Sequence, residues 1–153
     1  MDNRGSAGYA AIAMIFLILI MFILLEYNHG MTIYKTVQKE LEQAVSAAVL
    51  LSIDDEYRKD EILFISDIPA AKARCVQCIV EDMGLDHQFR KMNGNLVVYS
   101  LSEPQIEVTE APPYLICYAY LHIPLMMVPD GISPDAEITL HLKAAAHAKS
   151  LLN

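Results

Sequence analysis

Between Ala7 and Leu25 (AGYAAIAMIFLILIMFILL) the chain has no charged residue, and of its 19 acidic and 11 basic residues only Asp2 and Arg4 come before Glu26. An uncharged run of this length is about one bilayer crossing at 1.5 Å per residue. That argues against a soluble cytoplasmic protein. No second run of the kind exists, which argues against a polytopic channel or carrier. Basic clusters are also missing. The net charge is −8, and an acidic chain repels phosphate backbones, so no nucleic-acid partner is expected. Tryptophan is absent and the 6 Gly and 7 Pro are modest, so nothing reads as low-complexity chain. Catalytic motifs are lacking too. The histidines form no HExxH, and Ser46, Ser52 and Ser66 have no Gly-x-Ser-x-Gly context. There is no phosphate loop and no dinucleotide fingerprint. Asp54-Asp55-Glu56 lacks the alternate spacing and central Gly of a calcium loop and reads as a solvated charge run. Neither an enzyme nor a cofactor nor a small-molecule substrate is expected.

What is present begins with that stem. Its apolar run is longer than a secretory h-region, and it ends in Glu26-Tyr27-Asn28-His29 rather than in an Ala-x-Ala cleavage pattern. The reading is a retained anchor that makes the lipid bilayer a partner. The flanks nearly balance in positive charge, Arg4 and the α-amine against Lys35 and Lys39. A short flank is the easier end to leave inside, which places the N-terminus in the cytoplasm and the acidic domain outside the cell membrane. The division expected is 1–6 as a short flank or leader, 7–25 as the transmembrane helix, 26–52 as an amphipathic extension and 53–153 as an extracytoplasmic domain.

Beyond Gly30, Tyr34, Val37, Leu41, Ala44, Ala48 and Leu51 recur at spacings of three and four, an apolar stripe on one helical face. The stem therefore continues as one helix to about Leu51, with Gly30 as a place for a bend. Val37, Leu41, Ala44 and Ala48 are expected to pack on the chain's own domain, and a face this rich in alanine suits a neighbouring copy as well. Glu61–Ile65 reads as a strand. A helix runs from Pro69 to Met83, capped by Asp67 and stopped by Gly84. Asn93-Gly94 marks a hairpin turn. Leu96–Leu101, Gln105–Thr109, Tyr114–Ile123 and Glu137–Leu142 read as strands, the last with Ile138, Leu140 and Leu142 alternating with polar residues. The fold class is α+β: a long N-terminal helix packed on a small antiparallel sheet with one crossing helix.

Cys75 and Cys78 are spaced to share one helical face, but mid-helix and without a βαβ context, so neither a redox nor a zinc site is expected. Two readings of the three cysteines stand. In an oxidising compartment Cys117 pairs with Cys75 or Cys78 and ties helix to sheet. Otherwise all three are reduced and buried.

A short polar leader ending in Arg4-Gly5, then Ser6-Ala7-Gly8 running straight into the stem, resembles type IV pilin-like proteins. Closer still are the TadE-like proteins of tight-adherence (Flp-type) pilus systems. Their alternating strand, proline-bearing loop and final alternating strand match Ile116–Leu125 and Ile138–Ala146 here. The resemblance covers both ends of the chain and leaves the middle unmatched. It implies a minor pseudopilin or assembly component, with pilin-like subunits and pilus assembly machinery as partners. It also implies processing between Gly5 and Ser6. One residue departs from the pattern: the fifth from Ser6 is Ala10, where processed pilins usually carry Glu. An intramembrane carboxylate needs a partner, so its replacement removes an assembly contact. An ordinary uncleaved flank remains the other reading of Arg4-Gly5-Ser6. Close approach of stems would use Gly8 and Ala10. The alternative function is a single-pass, membrane-tethered extracytoplasmic binding or sensor domain unrelated to pili.

Overall fold

The structure, a computed structural model, describes residues 4–53, 64–126 and 136–148, the side chains from residue 8 onward. One helix, α1 (Arg4–Ser52), runs unbroken through Gly30. Its first half is uncovered: every residue from Gly8 to Leu25 is exposed. Among the described residues this is the helix long and apolar enough to cross a membrane. Tyr9 and Tyr27, both largely exposed, stand about 27 Å apart along the axis at 1.5 Å per residue. Amphipathic rings at that separation match the two faces of a bilayer's hydrocarbon layer.

The second half of α1 is the core. Val37, Leu41, Ala44, Val45, Ala48 and Val49 are all buried. The buried stripe ends at Ser52 and not at Leu51, which is exposed. The cause is geometric. A strict three-four alternation averages 3.5 residues per turn, while a straight helix has 3.6, so the buried seam drifts onto Val45, Val49 and Ser52. Ser52 tolerates its buried place because its Oγ donates to the Ala48 carbonyl at 2.7 Å.

The second helix, α2 (Ile68–Met83), starts and stops where local chemistry requires. Asp67 Oδ1 accepts from the Ala70 N–H at 2.9 Å, Pro69 occupies the first turn, and Gly84 closes the helix in the left-handed region at φ 60°. Each helix end is also met by a cation from the next element. Arg74 of α2 donates to the Leu51 carbonyl of α1, and Lys91 donates to the Met83 carbonyl of α2. A positive charge over the last carbonyls suits the helix dipole.

The sheet has five antiparallel strands: β1 (Arg90–Asn93), β2 (Leu96–Leu101), β3 (Gln105–Thr109), β4 (Tyr114–Pro124) and β5 (Glu137–His147). β4 is central. β5 pairs along its whole length, from Tyr114↔His147 to Pro124↔Glu137. On the other side of β4, β3 pairs with Tyr114–Tyr118 and β2 with Leu121 and His122. The β1–β2 hairpin turns at Gly94 and Asn95, one residue beyond the Asn93-Gly94 expected, with Gly94 at φ 62°, and its register shifts by one residue between Lys91 and Met92. The loop from α2 into β1 is organised by Asp86. Its carboxylate accepts from the Gln88 and Arg90 N–H groups and pairs with the Arg90 guanidinium at 2.9 Å. Those bonds, led by the Arg90 N–H, hold its carboxyl below the usual range.

β4 alternates strictly. Leu115, Cys117, Ala119, Leu121 and Ile123 are buried, facing a layer made of α1 and α2. α1 packs on α2, β5 and β4, and α2 packs on β3. β5 follows the same alternation, with Leu142, Ala144 and Ala146 buried and Ile138 and Leu140 half-buried. Two layers with one core between them is the α+β arrangement expected. Three details differ. β1 was not foreseen, β5 continues to His147, and the described part of the Glu61–Ile65 segment is not a strand. Ile65 is a buried plug that donates one backbone bond to the Glu110 carbonyl, and 61–63 lie outside the described residues. So do the Asp54-Asp55-Glu56 run and the turn residues Pro129–Pro134.

Candidate functional site

The residues singled out in the sequence fall into two places, the stem and the core. Gly5 and Ser6 lie in the first turns of α1. Gly8 and Ala10 stand on its exposed apolar half, and a Cβ at Gly8 would meet no atom within 4 Å. Val37, Leu41, Ala44 and Ala48 do not share that exposure. They are fully buried against the chain's own sheet and second helix, so they hold the domain together and offer no face to a neighbour. Leu140 sits between these extremes, half-buried at the core's stem-side edge with Ile33, Tyr34 and Ile138.

The cysteines meet inside the core. Cys75 and Cys117 are buried and Cys78 is half-exposed. All three are free thiols in the structure. Burial pushes the Cys75 thiol up to about 12, with the charges of the nearby Cys117 and Cys78 adding to it, and burial alone takes Cys117 to about 12. Cys78 is also raised, chiefly by burial. Since the thiolate is the reactive form, iodoacetamide should label Cys78 first in the folded protein. Cys75 and Cys117 should react roughly tenfold or more slowly until the protein is unfolded. Mass-spectrometric mapping of the adducts checks this, and rapid labelling of Cys117 would contradict the packed helix–sheet interface. Among the described residues no group of three His, Cys, Asp or Glu side chains converges on a point where a metal could sit.

A third place was not anticipated. The outer face of the sheet, away from both helices, carries a ladder of tyrosines and histidines. Tyr114 stacks on His147 with centroids 4.0 Å apart, and His141 lies 5.4 Å from the Tyr120 ring and 6.1 Å from that of Tyr118. Lys143 Nζ sits over Tyr118 at 5.4 Å. At the stem-side end His122 Nδ1 is 2.8 Å from Glu137 Oε1 and 3.2 Å from Thr139 Oγ1. Beside the ladder a shallow cavity of about 300 Å³ is lined by Tyr118, Tyr120, His141, Glu103, Gln105 and Glu107. The signal was in the parity. Tyr114, Tyr118, Tyr120 and His122 occupy alternate positions of one strand, and Glu137, Thr139, His141, Lys143 and His147 of the next. The spacing of six between His141 and His147 is ambiguous without the strand boundary. With β5 running to His147 it places both rings on one face.

Compared with known proteins, the chain matches no protein-family model, no curated protein and no solved structure.

Proposed function

We propose that the protein is a membrane-anchored, pilin-like component, a minor pseudopilin or assembly factor, of a Tad or type IV-like pilus or secretion apparatus. In this reading it crosses the membrane once, with the N-terminus cytoplasmic and the α+β domain outside. The observation that carries the reading is α1 itself. Its exposed apolar half and its buried half form one helix without a break, so the anchor and the core of the domain are a single element. That is the architecture the resemblance of Arg4-Gly5-Ser6 and of the two terminal strands implies. The small residues Gly8, Ala10, Ala11 and Ala13 would let other apolar helices approach closely. The partners are then the bilayer, pilin-like subunits and the assembly machinery.

The test is made in cells that also express a prepilin peptidase and the inner-membrane assembly proteins of such a system. The mature chain should begin at Ser6 and should crosslink to those proteins through the stem. Gly8→Leu should lower the crosslinking severalfold and leave the domain's melting temperature unchanged, because nothing in the domain touches Gly8. A full-length, uncleaved protein that crosslinks to none of them would favour the tethered binding module. The Tyr–His face of the sheet is the surface such a module would use.

A further inference from the structure

The end of the domain nearest the stem exposes apolar side chains that the core does not use. Three strand ends meet there. β5 begins beside α1 at Gly30, where an added Cβ would lie 3.5 Å from Ile138 Cδ1. β4 ends next to it, with Ile123 paired to Ile138 and Pro124 to Glu137. Two residues further on, Met126 closes a cleft of about 410 Å³ whose other walls include Phe22, Leu25, Glu26 and His29 of α1. Met126 is 67% exposed. β2 runs antiparallel to β4, paired at Ser100↔His122 and Leu101↔Leu121, so its first residue, Leu96, lies toward the same end. Leu96 is 75% exposed.

The height of this end is fixed covalently. Phe22 and Leu25 are the last lipid-facing turn of the uncharged run, and Tyr27 just beyond them is exposed at the level where aromatic rings sit between hydrocarbon and headgroups. Met126 faces the same turn of helix. If α1 spans the bilayer, Met126 is at the interface whatever else the domain does, and its apolar surface is continuous with that of the stem. A soluble partner would have to displace lipid to cover it. Lipid is already there.

We propose that the stem-side end of the domain rests in the bilayer surface. Met126 enters the interfacial layer beside Phe22 and Leu25, and Leu96 at the hairpin makes a second contact. The domain is thereby held down on the membrane rather than standing off it on a stalk. This rests on the membrane-spanning reading of α1.

The absence of tryptophan makes the test direct. Single-tryptophan variants Met126→Trp, Leu96→Trp, Ile20→Trp and Thr109→Trp of the full chain are reconstituted in phosphatidylcholine–phosphatidylglycerol (4:1) vesicles. The phosphatidylcholine is then exchanged for its analogue brominated on the upper acyl chain. Met126→Trp and Leu96→Trp should emit at shorter wavelength than Thr109→Trp and lose about half or more of their intensity to the bromolipid. Ile20→Trp should be quenched as a spanning control, and Thr109→Trp, at the far end of β3, should not be. Quenching at Ile20 with none at Met126 or none at Leu96 overturns the proposal, since the domain then stands clear of lipid. Quenching at Thr109 as strong as at Met126 overturns it as well, because the whole domain is then adsorbed without orientation. No quenching at Ile20 removes the spanning helix and the proposal with it.

Discussion

Leu142→Ala is expected to destabilise the protein by about 2 to 5 kcal/mol, the usual range for truncating a buried leucine. Leu142 has no exposed surface and lies in the core cluster that includes Leu41, Ala44 and Val45 of α1. Its removal opens a void between two layers that cannot bury their faces separately. For a chain of this size each kcal/mol shifts the melting temperature by about 2 to 4 °C, so a fall of about 10 °C should appear in circular-dichroism melts of the detergent-solubilised protein. Leu140→Ala should cost less, because Leu140 is only half-buried. Thr139→Ala, exposed on the outer face beside His122, should change stability little. An unchanged melt for Leu142→Ala, with Leu140→Ala destabilising, would mean that β5 does not seat on α1 in the register described.

The second large effect concerns the other half of the same helix. A charged residue at the centre of a spanning helix costs about 2.5 to 3.5 kcal/mol on the insertion scale. Leu17→Asp with Ile20→Asp together should therefore cost about 6 kcal/mol. The double variant should leave the membrane fraction and appear in the carbonate-extractable or aggregated pool. Leu17 and Ile20 are exposed and contact no part of the domain, so the melt of the domain should not move. The two experiments thus separate cleanly along one helix: Leu142→Ala should lower the melt without moving the protein off the membrane, and the aspartates should do the reverse. A double variant that resists carbonate extraction as well as the unaltered chain would end the spanning reading.

Much of the fold was readable because local chemistry and tertiary packing agree. Asp67, Pro69 and Gly84 mark the bounds of α2, Asn93-Gly94 marks a hairpin, and the alternation through Tyr114–Ile123 marks a central strand. The failures have identifiable physical causes. Arg90–Asn93 has a single apolar residue, Met92, and is a strand only because β2 pairs with it. β5 was cut short at Leu142 because the apolar–polar alternation that marks Glu137–Leu142 fades in Ala144-Ala145-Ala146. In place, Ala144 and Ala146 are buried on the helix side, while the backbone pairs with Cys117 and Leu115. Pairing with β4 carries the strand on to His147. Glu61–Ile65 had the composition of a strand, yet its described part is not one, and Ile65 fills the core. Of the candidate site, the stem was visible as an uncharged run. The Tyr–His ladder was not, because it is assembled across two strands whose mutual register no single segment reveals. The stripe on α1 was assigned to packing and to a possible neighbour. The structure gives Val37, Leu41, Ala44 and Ala48 to packing, leaves Leu51 exposed, and leaves the apolar half of the helix uncovered.

Gln38 is where helix and sheet are also tied by a polar contact: its Nε2 donates to the Lys143 carbonyl at 2.8 Å and to Glu42 at 2.7 Å. That link, the Gly30–Ile138 contact and the buried Val37–Val49 stretch follow one another along a helix with no intervening loop. The stem and the domain core therefore form a single rigid lever. A pull along the helix axis does not stretch a linker first. It loads the helix–sheet contacts in shear, many at once and parallel to β5, which resists far better than opening contacts one by one. A twist of the stem likewise arrives undiminished at the sheet and swings the Tyr–His face around the axis. Force or rotation applied to the stem is thus delivered directly to the outer surface of the domain.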